Sequence, residues 1–229
     1  MSLSHHPNIV RNGLVAYFDA ANGKSYPTAG TVWTDLTKGK NNQTLTGSPI
    51  YSSSNGGIMT FNGTTAYTIG TRPTSLVTGG QISISLWAKW TTVGTTTSTI
   101  QALVDNNHAL SQGFVIQDRP DLSKKLTFFI GRNSTGLQST GIVGDGLWHY
   151  IACTNDTSVS NLYIDGILNN SLSEVGGLIN LQTNVSIGKY QGGTRYLNGS
   201  IANALFYNRA LTAAEVLQNY NASKGRFSL

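Results

Sequence analysis

The sequence predicts an all-β protein, an antiparallel two-sheet sandwich with one short helix near the C-terminus. Three observations predict this class. Charged residues make up only 11% of the 229 residues and glycine contributes 26, a composition typical of strands joined by tight turns rather than of helical bundles. Short segments of alternating apolar and polar residues recur along the chain, and turn signals separate them. Hydrophobic residues reach 39%, enough to bury a sizeable core.

The clearest strand signal spans residues 81–90, where apolar side chains at even positions alternate with mostly polar ones at odd positions. Trp87 is the exception, because it falls on the polar face. We therefore expect a further element to cover that face of the sheet. The other predicted strands are, in chain order, Leu14–Phe18, Ile58–Phe61, Ala66–Ile69, Ile100–Val104, Gly113–Gln117, Lys125–Gly131, Trp148–Thr154, Asn161–Ile164, Val185–Gly188 and Ser200–Tyr207.

Three dipeptides predict tight turns between these strands. Asp165-Gly166 stands between two apolar runs and is the signal for a two-residue hairpin, in which both turn positions need positive φ. Asn62-Gly63 and Asn198-Gly199 have the same pattern, and we interpret them in the same way. Many short strands with regular turns, and no alternating long helices, predict the antiparallel sandwich.

One helix is predicted at the C-terminal end. Thr212 and Glu215 have the spacing of a capping box, in which the hydroxyl and the carboxylate each bind the other residue's backbone amide. Val216, Leu217 and Tyr220 then form an apolar stripe that can pack on a sheet. With no linker or internal repeat, the chain divides into an N-terminal arm, one domain and a C-terminal tail: residues 1–13, 14–222 and 223–229.

Several protein classes are excluded by composition. No stretch approaches the roughly 20 apolar residues of a membrane span, and residues 1–13 have no apolar core that could act as a secretory signal. Cys153 is the only cysteine, so no internal disulfide can form. The net charge of +5 is scattered, with its densest pairs at Lys38/Lys40 and Lys124/Lys125. We therefore expect a chain made in a cytoplasm that binds neither nucleic acid nor a membrane.

Five motifs occur in an order that resembles a known family. They are Phe61-Asn62-Gly63 followed by Tyr67, the strand of residues 82–90, the run from Asp145 to Tyr150, the run from Leu162 to Gly166, and the run from Asn198 to Thr212. With these, residues 13–220 resemble the laminin-G-like members of the concanavalin A-like lectin/glucanase superfamily. The resemblance implies a jelly-roll sandwich, but the superfamily hosts lectins, glucanases, adhesion modules and structural proteins.

The two ends of the chain add a more specific resemblance. Residues 12–27 and 219–227 look like modules found in virion proteins of tailed bacteriophages. This implies a non-enzymatic structural or decorating protein of the virion, used in head decoration, a fibre or a tail attachment. Such a protein would dock on other virion proteins, would form a homo-oligomer, and would reach the virion from the host cytoplasm without a signal peptide.

The predicted docking residues lie in the two terminal segments. The arm contributes His5, His6 and Pro7, and the tail contributes Lys224, Arg226 and Phe227. The pattern shows no internal partner for either segment. We therefore expect the termini to gain order by docking on a neighbouring protein.

The alternative function is a carbohydrate-binding module for adhesion to host surface glycans. Glycan binding needs an aromatic platform with polar side chains in a loop, and residues 190–196 match this with Tyr190, Gln191, Arg195 and Tyr196. A mobile glycine-rich hairpin tip has the same pattern. Both interpretations stay open at this point.

Catalysis is the weakest of the three hypotheses. A glucanase needs two carboxylates flanking a sugar, and the Glu-x-Asp-x-x-Glu pattern of the related glucanases is absent. Glu174 has no acidic neighbour, Glu215 belongs to the predicted helix cap, and the close pair Asp118 and Asp121 falls in a predicted turn. His149 lies in a predicted strand, where the resemblance implies a packing role. We therefore expect no enzyme activity and no catalytic residue.

Calcium is the cofactor that the resemblance raises. Laminin-G-like folds often hold a calcium ion at a sandwich rim through Asp, Asn and backbone carbonyl oxygens. The candidate ligands are Asp105, Asn106, Asn107 and Asp118, with Asn155 and Asp156 as another candidate pair. Related modules commonly have Asp-Glu after the Asn-Gly-x-Ile motif, whereas this chain has Ala-Asn at residues 202–203. That departure counts against an ion there, and we expect no other cofactor.

Overall fold

The computed structural model describes residues 7–106, 113–131, 136–173, 177–178 and 180–229. Within them lie sixteen strands and one α-helix, α1 (Ala213–Ser223). The strands are β1 (Leu14–Asp19), β2 (Val32–Trp33), β3 (Gln43–Thr46), β4 (Ile50–Ser52), β5 (Ile58–Asn62), β6 (Tyr67–Thr71), β7 (Ile82–Thr91), β8 (Gln101–Asp105), β9 (Phe114–Arg119), β10 (Lys125–Ile130), β11 (Leu137–Ile142), β12 (Asp145–Asn155), β13 (Val159–Ile164), β14 (Ile167–Ser173), β15 (Asn184–Ile187) and β16 (Asn198–Tyr207).

These strands form two eight-stranded antiparallel sheets. The first sheet has the order β14-β13-β12-β7-β16-β5-β4, with β1 also paired to β16. The second sheet has the order β11-β10-β9-β8-β15-β6-β3-β2. The predicted all-β, two-sheet sandwich with one short C-terminal helix is therefore confirmed, and its strand order is that of a jelly roll in which neighbours in space are distant in sequence.

Period-two alternation builds the core between the sheets. In β7 the even-numbered side chains from Ile82 to Trp90 all point into the main core cluster, where each is at most 2% exposed. Phe114, Ile116 and Phe128 enter the same cluster from the facing sheet. Burying such side chains contributes roughly 1.5–3 kcal/mol each, which makes this layer the main source of stability.

The outer face of the first sheet is covered, as the position of Trp87 predicts. The Trp87 ring stacks on Phe227 at 4.1 Å between centroids, and its indole N–H donates to the Ser223 hydroxyl at 2.7 Å. Tyr220 of α1 stacks on the same indole at 5.7 Å. A second apolar cluster thus lies between this sheet and the C-terminal segment.

The turn predictions are confirmed at one of three sites. Asp165 and Gly166 have φ of 53° and 80°, and they join β13 to β14 as a two-residue hairpin. Asn62-Gly63 is different, because β5 and β6 belong to different sheets; the Asn62 side-chain oxygen instead accepts three backbone N–H groups beyond it. Gly199 is paired within β16, where a Cβ would approach the Lys89 carbonyl oxygen to 2.4 Å.

Four strands were absent from the sequence prediction: β2, β3, β4 and β11. They lie at or near sheet edges and are short or polar, so they have too few buried apolar positions for a period-two pattern to be detected. For the same reason, the sequence indicates β14 only by the short apolar run Ile167-Leu168 that follows Asp165-Gly166. The helices of the described ranges include none long and apolar enough to cross a membrane.

Candidate functional site

The predicted glycan-binding segment is a hairpin that passes from one sheet to the other. Residues 188–197, called here the connecting hairpin, follow β15 of the second sheet and lead into β16 of the first. Two backbone hydrogen bonds close it, from Leu197 N to the Gly188 oxygen at 2.9 Å and from Tyr190 N to the Arg195 oxygen at 3.0 Å. Its tip, residues 192–194, is exposed.

This pairing places side chains on two opposite flanks. Lys189 is directly opposite Tyr196, so these two side chains share one face, and their chain neighbours Tyr190 and Arg195 share the other. We call the Tyr190 and Arg195 side the arginine flank. The side with Lys189, Tyr196 and the neighbouring Tyr67 of β6 is the lysine flank. The sequence-predicted set is therefore split between two surfaces.

Each flank pairs a cation with tyrosine rings. On the arginine flank, the Arg195 guanidinium lies 4.9 Å from the Tyr190 ring centroid. On the lysine flank, the Lys189 ammonium lies 4.5 Å from the Tyr67 ring and 5.2 Å from the Tyr196 ring. All five side chains are half-buried. Such contacts contribute about 0.5–1 kcal/mol each at exposed sites, so they pre-arrange the side chains.

Gln191 has a structural position rather than an exposed one. Its backbone N–H donates to Oδ2 of Asp105 at 2.8 Å, and its side-chain amide donates to the carbonyl oxygens of Asp105 and Asn184 at 3.0 and 3.2 Å. These bonds hold the base of the connecting hairpin on β8. Asp105 itself is completely buried.

The candidate calcium ligands are not brought together. Asp105 pairs with Val115 of β9, whereas Asp118 of the same strand pairs with Gln101, three positions away and about 10 Å along the strand. Asp105 faces outward under Gln191, and Asp118 faces the core. Asn107 lies outside the described residues. In the described ranges no three His, Cys, Asp or Glu side chains form a metal-binding group.

The close acidic pair also has two separate environments. The Thr92 hydroxyl donates to Oδ1 of Asp118 at 2.8 Å, while Oδ2 is buried without a hydrogen-bond partner. Burial raises the pKa of Asp118 to about 6, although the bond from Thr92 acts in the other direction. Asp121 is held through both oxygens by Arg119 at 2.8 and 2.6 Å, and this contact lowers the Asp121 pKa. The two carboxyl groups do not face one cleft.

The remaining acid–base candidates take part in structural contacts. His149 contacts Asp165 at 2.8 Å and Asp145 at 3.3 Å, and the hydrogen bond with Asp165 raises the His149 pKa. Glu215 completes the predicted capping box with Thr212 and also binds Arg209. Cys153 is fully buried in the core, and burial raises its pKa. Glu174 lies outside the described residues.

The C-terminal docking residues have internal partners, which corrects the expectation of an unattached tail. Arg226 forms an ion pair with Asp19 at 2.9 Å and donates to the backbone oxygens of Asn55 and Gly57. Phe227 is only 7% exposed, and the Lys224 ammonium lies over the Tyr220 ring. The pattern missed these contacts because their partners are up to 207 positions away.

The N-terminal arm is partly described. His5 and His6 lie outside the described residues, and Pro7 is exposed. Val10 is buried and donates its backbone N–H to the Asn219 side chain at 2.7 Å, while its carbonyl oxygen accepts from the Tyr207 hydroxyl at 3.0 Å. The end of the arm is therefore part of the folded domain.

Sequence reasoning missed Tyr67 and Lys189. Tyr67 belongs to β6, and only the pairing of β15 with β6 brings it beside the connecting hairpin. Lys189 directly precedes the predicted segment, and its spacing from Tyr196 would have placed both on one face of a hairpin.

A separate groove of about 420 Å³ lies between β11 and β14, and none of its described lining residues is aromatic.

The comparisons with known proteins agree with this fold. The family model of the concanavalin A-like lectin/glucanases superfamily matches residues 61–217, more than half of the chain. No curated protein matches the sequence. Because the solved structures below are less than 25% identical to this chain, their similarity concerns the fold alone.

Two kinds of solved structure are similar. Domain 4 of AbnA, a GH43 extracellular arabinanase from Geobacillus stearothermophilus in complex with arabinotriose, is 19% identical with a TM-score of 0.68, covering 92% of this chain and all of that domain. The receptor-binding domain of botulinum neurotoxin type G is 15% identical with a TM-score of 0.66.

A botulinum neurotoxin type C structure, from a toxin whose access to cells is dependent upon interaction with two ganglioside molecules, is 14% identical with a TM-score of 0.67. These matches cover 92% of this chain and 51% of each toxin chain, so the protein spans about half their length. The family match and the two-sheet architecture together show that the chain belongs to the concanavalin A-like lectin/glucanases superfamily, as a laminin-G-like member.

Proposed function

We propose that this protein is a non-catalytic carbohydrate-binding domain that acts in adhesion, with the connecting hairpin as its binding surface. The observation that carries the proposal is the clustering of Tyr67, Tyr190 and Tyr196 with two cations around one exposed hairpin tip. Sugar rings pack on aromatic side chains while polar groups orient their hydroxyls. The connecting hairpin supplies both kinds of group on a rigid base, because Gln191 fixes it to β8.

The positions of the carboxylates support a binding rather than a catalytic role. Hydrolysis needs two carboxyl groups facing the same glycosidic bond. Asp118 is buried in the core, Asp121 is bound by Arg119, and Glu215 caps α1. The similar solved structures are mainly binding domains, one of them in complex with arabinotriose.

The test is glycan binding by tyrosine variants of the full chain. We expect Tyr190→Ala and Tyr196→Ala each to weaken binding on a glycan array about five- to thirtyfold, because loss of a stacked ring removes about 1–2 kcal/mol. Tyr51→Ala is the matched control, since Tyr51 is also half-buried but lies on β4 of the other sheet. Equal loss in all three variants, or no glycan binding by the wild type, would overturn the proposal.

The finer assignment to a bacteriophage virion is also part of the proposal. It is supported by the resemblance of residues 12–27 and 219–227 to phage virion modules, and a virion surface is a setting in which glycan adhesion would serve host attachment. Self-association belongs to the same prediction. Antibodies against the purified protein should label intact phage particles, and labelling of host cell structures alone would contradict this assignment.

A further inference from the structure

We infer that the ligand of the connecting hairpin is an anionic polysaccharide, whose carboxylate or sulfate groups contact Lys189 on one flank and Arg195 on the other. This inference rests on the proposed function, because it names the chemical class of the glycan. It adds Lys189 to the binding residues and gives Arg195 the role of an anion ligand.

Lys189 is held in place without an anionic partner. Its ammonium group lies over the Tyr67 and Tyr196 rings, at 4.5 and 5.2 Å, and no carboxylate of the described residues forms an ion pair with it. An aromatic face orients an ammonium group but accepts no conventional N–H···O hydrogen bond. The donors that point away from the rings are available to an anion at this position.

Arg195, on the other flank, also lies over an aromatic ring and forms no ion pair with the described residues. Asp121 is close enough for the positive charge of Arg195 to contribute to its lowered pKa, after the larger effect of the Arg119 hydrogen bond. Both Asp121 oxygens are nevertheless bound by Arg119. Arg195 therefore lies over Tyr190 with no ion pair among the described residues, and a guanidinium binds carboxylate or sulfate groups in a planar, two-point manner.

The occupied ring faces favour charge recognition over simple stacking. A neutral sugar that packs on Tyr190 competes with the guanidinium for one of the two ring faces. On the lysine flank the Tyr67 and Tyr196 centroids are 6.2 Å apart, and the ammonium group lies over both rings. An acidic sugar avoids this competition, because its anionic group binds the cation and its ring contacts the remaining tyrosine surface.

The position of the two cations on opposite flanks favours a polymeric ligand over a single sugar. A monosaccharide reaches one flank only, whereas a polysaccharide that crosses the exposed tip at residues 192–194 contacts both. The second contact is then intramolecular and benefits from a high effective concentration. We therefore expect strong binding of acidic polymers and weak binding of their single sugar units.

The experiment measures the affinity of the full chain for polygalacturonate, its fully methyl-esterified form, dextran sulfate and unmodified dextran. Each pair shares a backbone and differs in charge, and the two acidic arms distinguish carboxylate from sulfate ligands. Single-stranded DNA is the polyanion control. Wild-type protein is compared with Lys189→Gln, Arg195→Gln and the double variant. The control is the double variant Lys38→Gln/Lys40→Gln, which removes the same net charge at exposed positions.

We expect wild-type protein to bind at least one acidic polymer at least tenfold more tightly than its neutral counterpart, with affinity falling as salt rises. Each single variant should lose about tenfold and the double variant about a hundredfold, while the control stays within twofold of the wild type. Thermal melting checks that the variants remain folded, and Lys189→Arg, which keeps the charge, should retain most of the affinity.

Three results would overturn the inference. The first is equal binding of acidic and neutral polymers that is lost in Tyr190→Ala. This result would support the proposed function but contradict the inference that the ligand is anionic. Binding of single-stranded DNA as tight as that of the acidic polymers would show a general polyanion surface. No binding of any glycan, acidic or neutral, would remove the proposed function and the inference together.

Discussion

At the scale of one residue, burial changes the pKa of the Asp118 carboxyl group. Its side chain is completely buried beside Trp90, and the Thr92 hydroxyl satisfies only one of its oxygens. Burial disfavours the charged form, which raises its pKa to about 6. The folded protein therefore holds a proton on Asp118 at pH values where the unfolded chain has lost it.

This pKa shift predicts that stability falls as pH rises from about 4 to 6. Because the folded state binds more protons in that window, the free energy of unfolding decreases by up to about 3 kcal/mol, and the decrease ends about one pH unit above the pKa of Asp118 in the folded protein. Asp118→Asn should remove this dependence and be more stable than the wild type at pH 8. Urea titrations between pH 4 and 8 measure the free energy of unfolding of both proteins. Parallel curves of this free energy against pH would contradict the prediction.

At the scale of one element, α1 is stabilised at its first turn. The Thr212 hydroxyl accepts from the Glu215 N–H at 3.3 Å, and the Glu215 carboxylate accepts from the Thr212 N–H at 2.9 Å. Hydrogen bonds from Arg209 are the main cause of a Glu215 pKa of about 2. The charged carboxylate thus stabilises the folded state above pH 4.5, and this contribution is lost as pH falls towards 2.

Loss of the cap should lower the stability of the whole domain, because α1 covers Trp87. We expect Thr212→Ala to reduce the free energy of unfolding by about 1 kcal/mol, whereas Thr212→Ser keeps the hydroxyl and most of the stability. Thr95→Ala, at an exposed loop position, is the control. Chemical denaturation at neutral pH measures all three, and equal stability of the Thr212→Ala and Thr95→Ala variants would contradict the prediction.

At the scale of the whole molecule, the C-terminal segment closes the outer face of the first sheet. Phe227 stacks on Trp87 and also contacts Trp148, with ring centroids 4.8 Å apart in the second pair. Arg226 connects the same segment to Asp19 of β1. These contacts join the C-terminal segment to strands at the beginning and in the middle of the chain, so this segment contributes to the stability of the folded domain.

We therefore expect Phe227→Ala to cost about 3–4 kcal/mol, as for other buried aromatic truncations. Deletion of residues 224–229 should cost at least as much, because it also removes Arg226. Leu229→Ala is the control, since Leu229 is 56% exposed. A melting temperature that is unchanged in the Phe227→Ala variant would contradict the packing role and return the tail to the docking role that the sequence suggested.

The local patterns of the sequence were sufficient for the elements that local physics controls. Alternation located β7 and β12, the Asp165-Gly166 dipeptide located a hairpin with two positive φ values, and the Thr212–Glu215 spacing located the cap of α1. Each of these depends on residues within about ten positions of one another. Asn62-Gly63 has the same local signal as the hairpin, but its strands separate into different sheets, which no local pattern records.

The candidate site likewise depends partly on local sequence and partly on strand pairing. The sequence by itself determined the β-sandwich class, its C-terminal helix and the aromatic segment at residues 190–196. Only the tertiary structure decided that Tyr67 joins this segment, that Gln191 faces inward and that Asp105 and Asp118 are separate. The physical reason is that side-chain direction and strand pairing decide which groups meet, and in this jelly roll the paired strands come from distant parts of the chain.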